Sequence, residues 1–171
     1  MYIEPTPTPI ITGTPTPTPI ITVTPSPTEI VMIPSYLVPN PLTVETISIT
    51  DGLCSNYNGT EFILRGLPVL KSIDIGEYCF EKVRVFELDG LSELESVVIG
   101  YGSFRISYDE RTDGSYRLVN CPKLKSIEIG GYSFGDYHSF ELNNLPSLQS
   151  IEIGGRCFEY APSFSLTGLI D

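Results

Sequence analysis

Three carboxylates recur at one position of a repeated strand sequence: Asp74, Glu128 and Glu152, held in Ile73-Asp-Ile75, Ile127-Glu-Ile129 and Ile151-Glu-Ile153. If those strands stack, the acids form a ladder at ~4.8 Å along a concave face, a spacing that suits Ca²⁺ or a basic partner. Val98 fills the same position in the remaining copy and breaks the acidic run, which favours a solvated face. Beside it, Thr46, Ser72, Ser96, Ser126 and Ser150 read as a structural hydroxyl ladder.

Cysteine and histidine offer less. Cys79 and Cys157 hold the same repeat position three copies apart, with Ser103 and Ser133 between them, so stacking separates them by ~14 Å and they cannot pair. Cys54, just after the first strand, is in register to reach Cys79 on the neighbouring coil, and the two form a candidate disulfide. Cys121 replaces a leucine found at Leu67, Leu91 and Leu145 and reads as a small buried hydrophobe. No cysteine pair has metal-ligand spacing, and the single His138 lies in an expected turn, Gly135-Asp-Tyr-His-Ser139, with no catalytic companion. There is no nucleophile elbow and no phosphate loop, so neither an enzyme nor a cofactor is expected.

Hydroxyl chemistry is concentrated at the other end. Residues 5–34 repeat every ten: Pro5-Thr-Pro-Thr-Pro-Ile-Ile-Thr-Gly-Thr14, then Pro15 to Thr24, then a decayed copy to Pro34. Alternating proline fixes φ and removes donors, excluding helix and central strand and favouring an extended polyproline II rod. Ser/Thr tracts rich in Pro are the composition of O-glycosylated stalks, with Thr6, Thr8, Thr12, Thr14, Thr16, Thr18, Thr22, Thr24, Ser26 and Thr28 as candidate acceptors. The alternative is an unmodified linker. The paired Ile10-Ile11 and Ile20-Ile21 point instead to a segment that docks. Asn58-Gly59-Thr60 adds a candidate N-glycosylation acceptor, Asn58.

The chain of 171 residues is divided by composition: all ten Lys and Arg lie at Arg65 or later, while eleven of fifteen Pro lie at or before Pro41. Residues 1–43 are therefore read as a stalk or docking segment and 44–171 as a folded unit. A net charge of −11 without a basic cluster argues against nucleic acid. No apolar run approaches the ~18 residues of a membrane span, and residues 1–30 lack the pattern of a signal peptide, so an exported protein would here be a mature or internal piece.

The folded unit repeats Leu-x-Ser-Ile-x-Ile-Gly with Phe five residues after the second Ile: Leu70 to Phe80, Leu94 to Phe104, Leu124 to Phe134 and Leu148 to Phe158. Copies starting 24, 30 and 24 residues apart mark a solenoid. Period-two pairs such as Ile73/Ile75 predict one strand per copy, with Ile47/Ile49 as a degenerate opening. A second set, Phe62/Leu64, Phe86/Leu88, Tyr116/Leu118, Phe140/Leu142 and Phe164/Leu166, predicts another. Gly76, Gly100, Gly130 and Gly154 mark the turn off the first strand. The six extra residues of one copy fall between Phe104 and Tyr116, where Tyr108, Asp109, Glu110 and Asp113 form a polar insertion without EF-hand spacing, as suited to a plain loop as to a binding loop. Tyr78, Tyr101, Tyr132, Tyr137 and Tyr160 are read as interface anchors or covers for rung ends.

Leu124-Lys-Ser-Ile-Glu-Ile129 followed by Phe134 resembles the leucine-rich repeat, and the Gly-x-x-x-Phe ending is similar to its BspA-like subclass of surface proteins. The leader resembles the stalks of hydroxyproline-rich glycoproteins. The resemblance departs from the family where Gly or Tyr replaces the usual Asn. It implies surface display and protein or glycan binding. The fold expected is mainly β: a leucine-rich-repeat solenoid of about five strand/turn/strand rungs after an extended polyproline II-like segment. The final Phe164-Ser-Leu166 unit carries no polar cap, so either the natural chain continues or another molecule supplies the next rung. The expected role is an extracellular structural glycoprotein forming a homo-oligomer or homopolymer through its open ends or docked leader. The alternative is an adhesin or receptor ectodomain reading a ligand on the concave face.

Overall fold

A computed structural model describes residues 43–106 and 114–169. The proline-threonine leader, with all its candidate Thr and Ser acceptors, and the insertion residues Tyr108, Asp109, Glu110 and Asp113 lie outside them.

The described residues form ten strands in two parallel sheets, a β-solenoid of five coils. One sheet stacks β1 (Thr46–Ile49), β3 (Ser72–Ile75), β5 (Ser96–Ile99), β7 (Ser126–Ile129) and β9 (Ser150–Ile153). The other stacks β2 (Glu61–Arg65), β4 (Val85–Asp89), β6 (Gly114–Val119), β8 (Tyr137–Asn143) and β10 (Ser163–Thr167). Each coil gives one strand to each sheet, and equivalent residues pair directly: Ile73 with Val97, Val97 with Ile127, Phe62 with Phe86, Phe86 with Tyr116.

Alternation sends Ile73, Ile75, Val97, Ile99, Ile127 and Ile129 inward from one sheet and Phe62, Leu64, Phe86, Leu88, Tyr116, Leu118, Phe140 and Leu142 inward from the other. Each fully buried large side chain contributes roughly 1.5–3 kcal/mol. Between the sheets run two aromatic columns. Phe62, Phe86, Tyr116 and Phe140 stack with centroids 5.3, 4.8 and 4.9 Å apart. Phe80, Phe104, Phe134 and Phe158 stack at 5.0, 4.8 and 5.3 Å. The columns meet edge to face, as at Tyr116 and Phe134, 5.1 Å and 84°.

The repeated turns have a repeated backbone. Phe80, Phe104, Phe134 and Phe158 all take positive φ, between 51° and 62°. So do Gly66, Gly90, Asn120, Asn144 and Gly168, which end the five strands of the second sheet. A phenylalanine there costs about 1–2 kcal/mol relative to right-handed backbone, which the buried column offsets. Gly76, Gly100, Gly130 and Gly154 are glycine for a different reason, since none has positive φ. A Cβ on Gly100 would sit 2.5 Å from the Gly76 backbone, and one on Gly154 2.4 Å from the Gly131 nitrogen. At this corner successive coils touch main chain to main chain.

The fifth coil is exposed: Ile151 38%, Ile153 41%, Phe164 55% and Leu166 53%. The first is not, because Ile49, Phe62 and Leu64 are buried, with Leu53 and Tyr57 packed against the core. Apolar layers were expected to be open at both ends of the array; the inward residues of the first coil are instead buried.

Candidate functional site

The sheets position their outward side chains in ladders. On the first sheet Ser48, Asp74, Val98, Glu128 and Glu152 are partners in register. Asp74, Glu128 and Glu152 are exposed, and Glu128 and Glu152 are direct neighbours, while Val98 separates them from Asp74. Among the described residues no group of three metal-ligating side chains converges.

The second sheet carries a ladder of alternating charge that the sequence reading missed. Arg65 pairs with Glu87, Arg117 Nη1 lies 3.6 Å from Glu87 Oε2, and Arg117 Nε donates to Glu141 Oε2 at 3.2 Å. Asp89 stands beside both arginines, 4.0 Å from Arg65 and 3.8 Å from Arg117. Glu87, Arg117 and Glu141 are register partners, a signal the repeat spacing carries, whereas Arg65 is the partner of Asp89 and reaches Glu87 diagonally. Corresponding pairs flank the first sheet: Lys71 with Glu45 at 2.8 Å, Lys125 with Glu95 at 2.7 Å. Lys125 holds the Glu95 carboxyl below its usual range, and Glu45 raises Lys71. An amide ladder continues the theme, Asn144 Nδ2 donating to Asn120 Oδ1 at 3.0 Å and Asn120 Nδ2 to Asp89 Oδ1 at 2.8 Å. These contacts fix register and keep the surface polar; exposed pairs contribute about 0–1 kcal/mol each.

Tyr78, Tyr101 and Tyr132 form an outer aromatic row, with centroids 5.7 and 5.3 Å apart and the Arg105 and Arg156 guanidinium groups 5.8 and 5.3 Å from the Tyr132 ring. Tyr137, read from sequence with these surface tyrosines, is instead fully buried. His138 lies on β8 and not in a turn. Gly114 pairs with Tyr137 and Ser115 with Ser139, so His138 is the extra residue of a bulge. Asn58 is exposed, its Oδ1 accepting from Lys82 Nζ at 2.7 Å.

Inside the coils, Ser103 and Ser133 are buried and stitch the turns together. Ser103 Oγ accepts from Cys79 N (3.0 Å) and donates to Gly76 O (2.7 Å); Ser133 Oγ accepts from Ser103 N (3.1 Å) and donates to Gly100 O (2.8 Å). All four cysteines are free thiols, with Cys54, Cys79 and Cys121 buried. Burial pushes Cys121 up to about 11, as suits its place among leucines.

Among the described residues the arrangement offers columns of like groups along two sheets rather than a convergent group of acid, base and nucleophile. Among known proteins, no family, no curated sequence and no solved structure matches this chain.

Proposed function

We propose that this protein is a non-enzymatic extracellular structural glycoprotein of leucine-rich-repeat type, related to BspA-like surface proteins. Its solenoid is the building block of a filament or surface layer, and its Pro/Thr leader carries O-glycans. The observation that carries the reading is the regularity of the stack: strand edges, aromatic columns and charge ladders all repeat in register, so one coil is a template for the next. In this polypeptide the fifth coil presents that template with its apolar layer exposed. With the first coil closed, the occupant is an Ile-Ile-Thr segment of another copy's leader, added as a strand along β9. Such a contact is heterologous and does not close on itself, so it propagates.

Light scattering and electron microscopy of the 171-residue protein test the assembly. Concentration-dependent polymers that disappear on replacing Ile10, Ile11, Ile20 and Ile21 by Asn support it; monodisperse monomers at high concentration refute it. Intact mass of material from its native source tests the glycans, a series of sugar increments being expected and the bare polypeptide mass opposing them. The competing adhesin reading draws on the adjacent, exposed Glu128 and Glu152. Neutralising Asp74, Glu128 and Glu152 together abolishes binding to a partner under that reading and leaves assembly unchanged under the one preferred.

A further inference from the structure

We propose that Cys54 and Cys79 are the two halves of a disulfide that fastens the first coil to the second. The backbone establishes their equivalence. Phe80 N donates to Cys54 O (3.1 Å) as Phe104 N does to Cys79 O (2.8 Å) and Phe134 N to Ser103 O (3.2 Å). Cys54 therefore heads the column that continues through Cys79, Ser103 and Ser133. Neighbours in such a column are one strand spacing apart, ~4.8 Å, inside the Cα separation a disulfide accepts.

The column changes chemistry along its length. In the third and fourth coils the serine hydroxyls bridge successive turns through backbone groups. At the first two coils cysteines hold these positions instead: the Cys79 thiol donates to the Thr50 carbonyl at 3.6 Å and the Glu77 carbonyl at 3.5 Å, and the neighbouring Cys54 thiol and the Gly52 and Cys54 backbone groups act on its sulfur. These donors lower Cys79 to about 7 and leave Cys54 as the protonated partner. The other cysteines are out of reach. Cys157 is three coils from Cys79, and Cys121 belongs to the leucine column.

Bond formation requires an oxidant, for which a low-molecular-weight disulfide such as oxidised glutathione suffices. The Cys79 thiolate attacks one oxidant sulfur, forming a mixed disulfide and expelling one glutathione thiolate. Cys54, on losing its proton, attacks the Cys79 sulfur and expels the second. Two protein thiols lose two protons and two electrons, and the oxidant becomes two thiols. Because both sulfurs are buried, exchange proceeds during folding or through opening of the first coil.

The test equilibrates the full 171-residue chain in a glutathione redox buffer, blocks free thiols and maps the linkage by mass spectrometry. Expected are one Cys54–Cys79 bond, two remaining thiols and a melting temperature higher than that of the reduced protein by roughly 5–10 °C. Cys54→Ser and Cys79→Ser each introduce the hydroxyl that the third and fourth coils already hold in this column, so both variants keep the fold. Each should show three free thiols and no oxidant-dependent shift in melting. Four titratable thiols in the equilibrated protein, or a linkage through Cys121 or Cys157, would overturn the proposal.

Discussion

The Tyr137 hydroxyl donates to the Val83 carbonyl at 2.7 Å, reaching from the fourth coil to the second. The passage exists because Gly114, the partner of Tyr137 in the third coil, has no side chain. A Cβ there would lie 3.0 Å from the Tyr137 ring and from Ile106 Cδ1. Both ring and carbonyl are buried, so the bond has no water to replace it.

Tyr137→Phe should therefore lower unfolding stability by about 1–3 kcal/mol, the range for stranding a buried acceptor. Gly114→Ala should lower it by about 1–2 kcal/mol through crowding of a rigid core ring. Since both substitutions act on one contact, the double variant should lose less than the sum, which urea unfolding of all four proteins measures.

Tyr116 behaves in the opposite sense. It sits in a column otherwise made of Phe, and its hydroxyl is buried with no hydrogen-bond partner among the described residues. Tyr116→Phe removes the unsatisfied group and keeps the stacked ring. A gain of about 1 kcal/mol is expected, read as a higher urea midpoint at unchanged slope. A loss would mean that the hydroxyl does have a partner.

Contact between main chains makes the corner glycines unequal to their neighbours. A Cβ on Gly100 meets fixed backbone at 2.5 Å, whereas one on Gly155 meets nothing within 4 Å. Gly100→Ala should destabilise by more than about 2 kcal/mol, and Gly155→Ala should stay within about 0.5 kcal/mol of the parent. Thermal melts of the two variants side by side provide the comparison.

Alkaline pH should unfold the array through its tyrosines. Desolvation raises Tyr137 and Tyr116 well above the ordinary phenol value of 10. An acid whose folded pKa is raised contributes stability that is complete below the unfolded value and is lost as pH rises past it towards the folded value. Stability should thus be level with respect to these two groups below pH ~10 and fall above it. Phenolate absorbance from Tyr116 and Tyr137 should appear only together with loss of circular dichroism. Simultaneous titration of all ten Tyr without unfolding would contradict this.

How much of this was legible beforehand depended on repetition. The pairs Ile73/Ile75 and Phe86/Leu88 recur in every coil, so strand identity, register and inward face followed from period alone. Tyr137 and His138 fall before the first residue that the apolar alternation marks as strand, Phe140, yet β8 starts at Tyr137 and takes up His138 in a bulge that no other copy signals. The packing of Leu53 and Tyr57 against the core had no signal for the complementary reason: those residues match no other copy. Positive φ at Phe80 and its equivalents had no local signal at all, since phenylalanine has no preference for that backbone and only the aromatic column selects it. Among the candidate sites, the acidic ladder was readable because it lies on the repeat, and the Glu87–Arg117–Glu141 run was equally readable from register, whereas the diagonal contact of Arg65 with Glu87 was not.

All ten strands are parallel to their neighbours, and the bonds joining them point along the direction of stacking. Tension applied end to end across the coils therefore puts the full load on every layer in series, and the weakest layer yields first. Tension applied along the strands is shared by every layer at once. A tether built from this unit would be brittle in one direction and tough in the other, and oxidation of Cys54 and Cys79 to a disulfide would protect only the first joint.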